Sequence, residues 1–255
     1  KHARVLHNDV ELDVTVNDQG DLVTAEGAVI SESEVTWLSP IKNPGTIFAL
    51  GLNYADHAAE LAFEPPKEPL VFLKGANTLT GHKQNAYRPD NIEFQHYECE
   101  LVAVIGKEGK NISREDAMDY IAGYTVCNDF AIRDYLENYY RPNLRVKSRD
   151  SLCPIGPWLI DKEDVGDISD LRLTTHVNGE LTQEGTTKDI IFDVPFLVEY
   201  LSQIMTLKPG DLIFTGTPGG VGLAMKPPSF LKAGDVVRCE IEELGAIENT
   251  VAAEA

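Results

Sequence analysis

The chain has 255 residues, 43% of them hydrophobic, and a formal charge of −19 from 22 basic and 41 acidic residues. That length and apolar content suit one large domain, or a large domain with a small appendage. So acidic a balance disfavours non-specific nucleic-acid binding, which needs a basic surface, and an anionic ligand would need a local basic site or a metal. No run approaches ~18 consecutive apolar residues and the N-terminus does not read as a signal peptide, so no membrane partner is expected. The four cysteines (Cys99, Cys127, Cys153, Cys239) lie far apart with no CxxC pair. Cys99 and Cys127 fall in apolar strand-like runs and read as buried thiols in a reducing cytoplasm, not as zinc ligands. The chain starts at Lys1 and not at Met, which leaves open an upstream segment.

In chain order, residues 1–44 look like a small separate β unit. ELDVTVNDQGDLVT alternates apolar positions around a turn at Asn17 to Gly20 and predicts a hairpin. WLSPIKNPGT is a linker by its prolines and glycine, and residues 45–255 form the main domain. IFALGLNYADHAAELAF predicts a buried strand from Ile47 to Leu50, then a glycine and a short helix. EPPKEP, residues 64–69, is a loop, and LVFLKGANTLTG and ECELVAVIGK are strands. NISREDAMDYIAGY predicts a helix, with Ser113 as N-cap, Asp116 three residues on and Gly123 at the C-terminus. YTVCNDF is a strand. The long segment DYLENYYRPNLRVKSRDSLCPIGPW is poorly periodic. LRLTTHVNGELTQEG predicts a hairpin on its Asn178-Gly179 pair, and VPFLVEYLSQIM an amphipathic helix. KPGDLIFTGTP and KAGDVVRCEIE share a turn-then-strand design. Strands that do not alternate with long helices argue against a Rossmann or TIM fold and for a β-rich α+β chain, a mixed β-roll or sandwich.

HYECELVAVIG, residues 96–106, poses the sharpest question. On a strand Glu98, Glu100, Val102 and Val104 share one face, yet both faces are mostly apolar. Carboxylates at i and i+2 sit roughly 6.6–7 Å apart and repel by about 2.5 kcal/mol at an effective dielectric of ~20, before the cost of desolvation. A cation, Arg or Lys partners, or exposure at a strand end must offset that. With Asp129, at the end of YTVCNDF, the pair would form an all-oxygen site suited to Mg²⁺ or Mn²⁺; solvated edge-strand charges are the alternative.

Three further constellations stand out. In NYADHAAEL, His57 and Glu60 share a helix face at i,i+3, an arrangement that raises imidazole basicity and fixes its tautomer, or else an incidental surface ion pair. RPNLRVKSRD places Arg141, Arg145, Lys147 and Arg149 together, a site for a carboxylate or enolate, or a solvated loop paired with Asp134, Glu137 and Asp150. TGTPGGVG, residues 215–222, lacks the spacing of a P-loop or a dinucleotide fingerprint. Its small residues allow close approach to a ligand oxygen, or simply make a tight turn.

The order GLNYADHAAE, VFLKGANTLTG, HYECELVAVIGK, GYTVCNDFAIRD, VKSRDSLCPIGPW, QEGTTKDIIF and LKPGDLIFTGTPGGVG resembles the fumarylacetoacetate hydrolase superfamily over roughly residues 45–250. NDFAIRDYLENYYRPNLRVKSRDSLCPIGPW looks closest to its bacterial branch in homoprotocatechuate (4-hydroxyphenylacetate) catabolism. The resemblance implies a mixed β-sandwich roll, a divalent metal, usually Mg²⁺ or Mn²⁺, and a homodimer or higher homo-oligomer. It implies metal ligands at Glu98, Glu100 and Asp129, and a catalytic dyad of His57 and Glu60 on a mobile segment that orders when ligand binds. Lys147 would contact substrate or metal-bound water, with Lys74, Arg133 and Thr217 as substrate contacts. The activity implied is decarboxylation or enol–keto isomerisation of an unsaturated 2-oxo or 2-hydroxydiene di- or tricarboxylic acid. C–C hydrolysis of an acylpyruvate, oxaloacetate decarboxylation, and non-catalytic binding of a divalent ion or small acid are the alternatives. Two features depart from the family pattern. Leu52 stands where many relatives carry Arg in G-x-N-Y, and the segment before residue 45 looks too short to be the second, degenerate copy fused to some relatives.

Overall fold

The computed structural model describes residues 1–137 and 144–254. Its first strands are β1 (His2–His7), β2 (Val10–Val16), β3 (Leu22–Val23), β4 (Val29–Ile30), β5 (Val35–Trp37) and β6 (Ile47–Gly51), followed by helix α1 (Ala55–Glu60). Then come β7 (Leu70–Lys74), β8 (Leu79–Thr80), β9 (Asn85–Arg88), β10 (Gln95–His96), β11 (Cys99–Ile105), β12 (Ile121–Asn128) and β13 (Ala131–Ile132). Helix α2 (Leu144–Lys147) precedes β14 (Cys153–Asp161), β15 (Arg172–Val177) and β16 (Glu180–Thr186). Helix α3 (Val194–Ile204), β17 (Leu212–Phe214), β18 (Val236–Ile241) and β19 (Gly245–Ala253) complete the chain.

The strands form two main sheets and a small pair, β10 with β13. The larger sheet runs β4-β3-β2-β1-β14-β12-β11-β17-β6-β7, and the smaller β16-β15-β18-β19-β9. Most pairings are antiparallel, but β6 with β17, β8 with β14, and β9 with β19 are parallel. The fold is therefore a mixed, β-rich α+β sandwich, as the sequence leads one to expect.

Strand β11 shows why the core sits where it does. Cys99, Leu101, Ala103 and Ile105 pack with Leu173, Val237, Cys239, Ile241, Ile247 and Val251 of the smaller sheet. Val102 and Val104 turn the other way, against Ile47, Ala49, Leu212 and Phe214. Every residue of β11 is buried, which the period-2 reading of two apolar faces requires. The N-terminal strands gather their own cluster around Val5, Val14, Leu22 and Trp37, and β1 joins the larger sheet through the pairing of His2 with Leu159.

Several local expectations hold. The 172–186 hairpin turns at Asn178 and Gly179, both with positive φ (52° and 84°), as a primed turn demands. Asp193 caps α3 by accepting from Phe196 N, and Val194, Leu197, Val198 and Leu201 form its buried face. All four cysteines are free and buried. No helix among the described residues is long and apolar enough to cross a membrane.

Two expectations fail. No α-helix forms over NISREDAMDYIAGY; a short 3-10 turn at Ala117–Tyr120 leads directly into β12. The capping contacts exist, with Asp116 N donating to Ser113 Oγ at 3.2 Å, but Gly123 is a strand residue and not a helix terminus. A Cβ there would lie 2.1 Å from the Ile160 carbonyl oxygen, so glycine serves the close approach of β14. LVFLKGANTLTG is also not one strand: a 3-10 turn at Ala76–Thr78 separates β7 from β8.

Candidate active site

Strand direction gathers the site at one end of the larger sheet. β6 and β17 are parallel neighbours, so α1 and the loop at 215–220 leave the sheet at the same end. β11 is antiparallel to β17 and brings the start of the strand, Glu98 and Glu100, to that end. β12 is antiparallel to β11 and delivers Asn128 and Asp129 there. The segment before β14, with Lys147, arrives by the same logic.

Glu98, Glu100 and Asp129 are buried, and each offers an oxygen within 4.8 Å of the others. At an effective dielectric of ~20 a pair at that spacing repels by about 3 kcal/mol. Cationic side chains answer part of this. Lys147 Nζ donates to Glu98 Oε2 (2.7 Å), to the Asp129 carbonyl (2.8 Å) and to Asp129 Oδ2 (2.9 Å). Arg133 Nη2 donates to Glu98 Oε1 at 2.9 Å, and Lys74 Nζ lies 2.7 Å from Asp129 Oδ1. Burial pushes the Glu98 carboxyl up, but Lys147 and Arg133 outweigh it and hold Glu98 below the ordinary range. At Glu100, Gly216 N donates to Oε2 at 3.0 Å; burial and the charges of Asp129 and Glu98 outweigh the opposing Lys147 and drive its carboxyl well above the ordinary range.

His57 and Glu60 pair across the helix face. His57 Nδ1 meets Glu60 Oε1 at 2.7 Å; the carboxylate accepts, so Nδ1 donates that bond. His57 is buried and lines a cavity with Glu98, Arg133, Lys147, Thr217, Leu50, Leu52 and Phe72.

The remaining sequence candidates fall variously. Lys74 does not line the cavity; its buried ammonium pairs with Asp129 and donates to the Lys147 carbonyl. Thr217 lines the cavity, with its hydroxyl donating to the Cys99 carbonyl at 3.0 Å and accepting from Gln183 Nε2 at 2.9 Å. Of the basic cluster, Lys147 reaches the carboxylates. The Arg145 guanidinium lies 3.7 Å from the Tyr135 ring centroid, Arg149 pairs with Glu254 at 2.6 Å, and Arg141 lies outside the described residues.

Some residues at the site carried no separate signal in the sequence. Asn53 bridges the loop from β6 to the Phe192 and Thr215 carbonyls. Asn128 Oδ1 accepts from Glu98 N at 3.0 Å. His96 Nε2 accepts from Arg133 Nε at 2.9 Å, and burial, then Arg133, holds its imidazole well below the ordinary value. Asp56 and Gln183 bind backbone of the 216–220 loop. The sequence hint for Asn53 is a polar side chain inside a buried run, which must find partners.

The donor set fits a hard divalent cation: three buried carboxylates, all oxygen, converging within 4.8 Å. The Lys147 ammonium already bridges two of the three, as a bound cation would.

The comparisons agree with this fold. Residues 46–252 match the family model described as fumarylacetoacetate (FAA) hydrolase, C-terminal, and the chain belongs to that family. It is 59% identical, over 91% of its length, to the 4-hydroxyphenylacetate degradation bifunctional isomerase/decarboxylase of Salmonella dublin, and covers 52% of that protein. It is 45% identical to the mitochondrial oxaloacetate tautomerase fahd2 of Xenopus laevis, over 88% of this chain and 70% of that one. The crystal structure of 5-carboxymethyl-2-hydroxymuconate delta-isomerase from Mycobacterium smegmatis superposes with a TM-score of 0.84 at 32% identity, covering 100% of this chain and 99% of that one. The chain thus spans about half the length of the isomerase/decarboxylases it matches.

Proposed function

We propose that this chain decarboxylates or isomerises an unsaturated 2-oxo or 2-hydroxydiene di- or tricarboxylic acid in the breakdown of 4-hydroxyphenylacetate. The observation that carries this reading is one cavity lined both by Glu98 of the buried carboxylate cluster and by His57 of the His–Glu pair. The names of the 58–59% identical relatives support the substrate class. Glu98, Glu100 and Asp129 would hold Mg²⁺ or Mn²⁺. When bound, the ion supplies Lewis-acid polarisation of the 2-oxo group.

The chain's own groups do the rest. Loss of CO₂, or of a proton, leaves the electron pair of the broken bond as an enolate. Arg133 and Lys147 set positive charge beside the developing oxyanion, a contribution largest in a site shielded from water. His57, oriented by Glu60, takes or returns the proton at Nε2. Thr217 must turn its hydroxyl away from Cys99 to donate to a substrate carboxylate, and Lys74 acts through Asp129. A homodimer or larger assembly belongs to the same reading, supported by Leu73, 57% exposed on β7, which ends the larger sheet.

A second reading is keto–enol tautomerisation of oxaloacetate, supported by the 45% identical tautomerase. The test is to follow ultraviolet absorbance of 2-hydroxyhepta-2,4-diene-1,7-dioate, oxaloacetate and an acylpyruvate with Mg²⁺ or Mn²⁺, using wild type and Glu98→Gln. Turnover of the dienedioate that falls by about 100-fold or more in the variant, together with its Mn²⁺ binding, supports the proposal. Turnover of oxaloacetate alone selects the second reading, and cleavage of the acylpyruvate alone makes the chain a hydrolase. A variant that binds Mn²⁺ and turns over like wild type removes the site assignment.

A further inference from the structure

We infer that Asp56 is a positioning residue: it fastens the dyad helix to a loop whose other end is bonded to the carboxylate cluster. The inference rests on the proposed function only in taking His57 as the proton-transfer group; the fastening itself stands on geometry.

Helix α1 is six residues long and has no side-chain N-cap. A helix that short is not stable by its own hydrogen bonds. It also follows Leu52, whose φ of 54° is uncommon for an aliphatic residue. The helix must therefore be held from outside. Asp56 Oδ2 accepts the Gly219 N–H at 2.9 Å, and Glu60 Oε2 accepts the Gly220 N–H at 2.8 Å. Asp56 Oδ1 accepts the N–H of His57 at 2.8 Å. Both links to the loop are charge-assisted, the stronger kind of hydrogen bond.

The opposite end of this loop reaches the cluster. Gly216 N donates to Glu100 Oε2, and Thr217 Oγ1 to the carbonyl of Cys99, both at 3.0 Å. Gln183 Nε2 braces the middle at Thr217 Oγ1 and the Pro218 carbonyl, and the Tyr97 hydroxyl donates to the Gly220 carbonyl at 3.0 Å. A single short loop thus spans from a carboxylate of the cluster to the carboxylates of the dyad helix. The fit is close: a Cβ on Gly219 would lie 3.0 Å from Asp56 Oδ2 and 3.4 Å from Glu60 Oε2.

Asp56 and Glu60 divide the work. Glu60 is committed to His57 through Oε1, so any drift of the helix that Glu60 had to follow would turn the imidazole. Asp56 carries the attachment without touching the imidazole. The Asp56–Gly219 bond therefore holds the dyad's place beside the cluster while Glu60 holds the ring. Misplacing a reacting group by about 1 Å costs on the order of 100-fold in rate, so the effect falls on kcat more than on KM.

The experiment compares wild type with Asp56→Ala, Asp56→Asn and Gly219→Ala. Hydrogen–deuterium exchange is read without substrate in peptides covering 54–62 and 216–222, Mn²⁺ binding by electron paramagnetic resonance, and turnover with 2-hydroxyhepta-2,4-diene-1,7-dioate. In Asp56→Ala both segments exchange faster, Mn²⁺ affinity holds within about twofold, kcat falls about 10- to 100-fold and KM changes less than about threefold. Asp56→Asn, whose amide oxygen still accepts the Gly219 N–H, recovers most of the loss, and Gly219→Ala reproduces it from the loop side. Unchanged exchange in Asp56→Ala overturns the inference, as does a loss that Asp56→Asn shares in full together with loss of Mn²⁺ binding. If wild type turns over none of the acids, the proposed function fails while the exchange measurement still decides the fastening.

Discussion

Lys147 and Glu98 form a buried ion pair, with Nζ 2.7 Å from Oε2, and the other two donors of the same ammonium go to Asp129. Burial pushes the Lys147 ammonium toward losing its proton, but Asp129 and Glu98 outweigh it and raise its pKa above the ordinary value. The lysine is thus part of what lets three carboxylates share one pocket. Lys147→Met should destabilise the metal-free protein by about 3 kcal/mol or more, the usual cost of leaving buried charges without their partner. Saturating Mn²⁺ should restore more stability to the variant than to wild type, because binding to the folded state adds stability by mass action. Urea unfolding with and without Mn²⁺ measures both effects. Equal metal-free stability of variant and wild type would show that Glu98 and Asp129 do not depend on Lys147.

The strand pattern was legible because its physics is local. Period 2 places Glu100 on one face of β11 with Glu98 just before it on the same side, and Asn178-Gly179 announces its hairpin. The paired KPGD and KAGD segments do share one turn: Asp211 Oδ2 accepts from Lys208 N at 2.8 Å, Asp235 Oδ2 from Lys232 N at 2.7 Å, and Gly210 and Gly234 both have positive φ. What stayed hidden depends on distant partners. Asp56 on a short helix resembles a solvated charge until Gly219, 163 residues on, is brought against it. Asn53 finds Thr215 at a separation of 162 residues. The motif order identified the family, but only the direction of β6, β11, β12 and β17 explains why its parts converge.

Gly123 shows how tertiary contact overrides a local signal. It follows a run with helix-cap chemistry, yet it lies in β12 because the Ile160 carbonyl leaves no room for a side chain. Gly123→Ala should therefore lower stability by about 3 kcal/mol, the upper range for forcing a methyl into packed structure, since the obstacle is backbone and cannot rotate away. A helix C-cap role would give a smaller loss, about 1–2 kcal/mol, the cost of a Cβ in the left-handed conformation. Thermal or urea unfolding of the variant reads the size of the loss directly.

His82 gives the chain a pH dependence of its own, where the N-terminal strands meet the main body. Its ring stands edge-on to Trp37 at 5.3 Å, and its Nδ1 accepts the Glu248 N–H at 3.0 Å. Burial, with Lys83 and Arg238 adding to it and Glu32 opposing, lowers its pKa from 6.5 to about 4. The unfolded chain therefore takes up a proton below pH ~6.5 that the folded chain refuses until pH ~4. The contribution is complete above pH ~6.5, declines as pH falls through that window, and is lost below it. The total is about 3 kcal/mol, from ~1.4 kcal/mol per pKa unit. His82→Asn removes this titration, so its unfolding free energy should fall less steeply than that of wild type between pH ~6.5 and ~4.5. Urea denaturation at half-unit pH steps measures the difference. Parallel curves would mean that the imidazole titrates alike in the folded and unfolded chain, and that its seat against Trp37 and Glu248 does not exclude the proton.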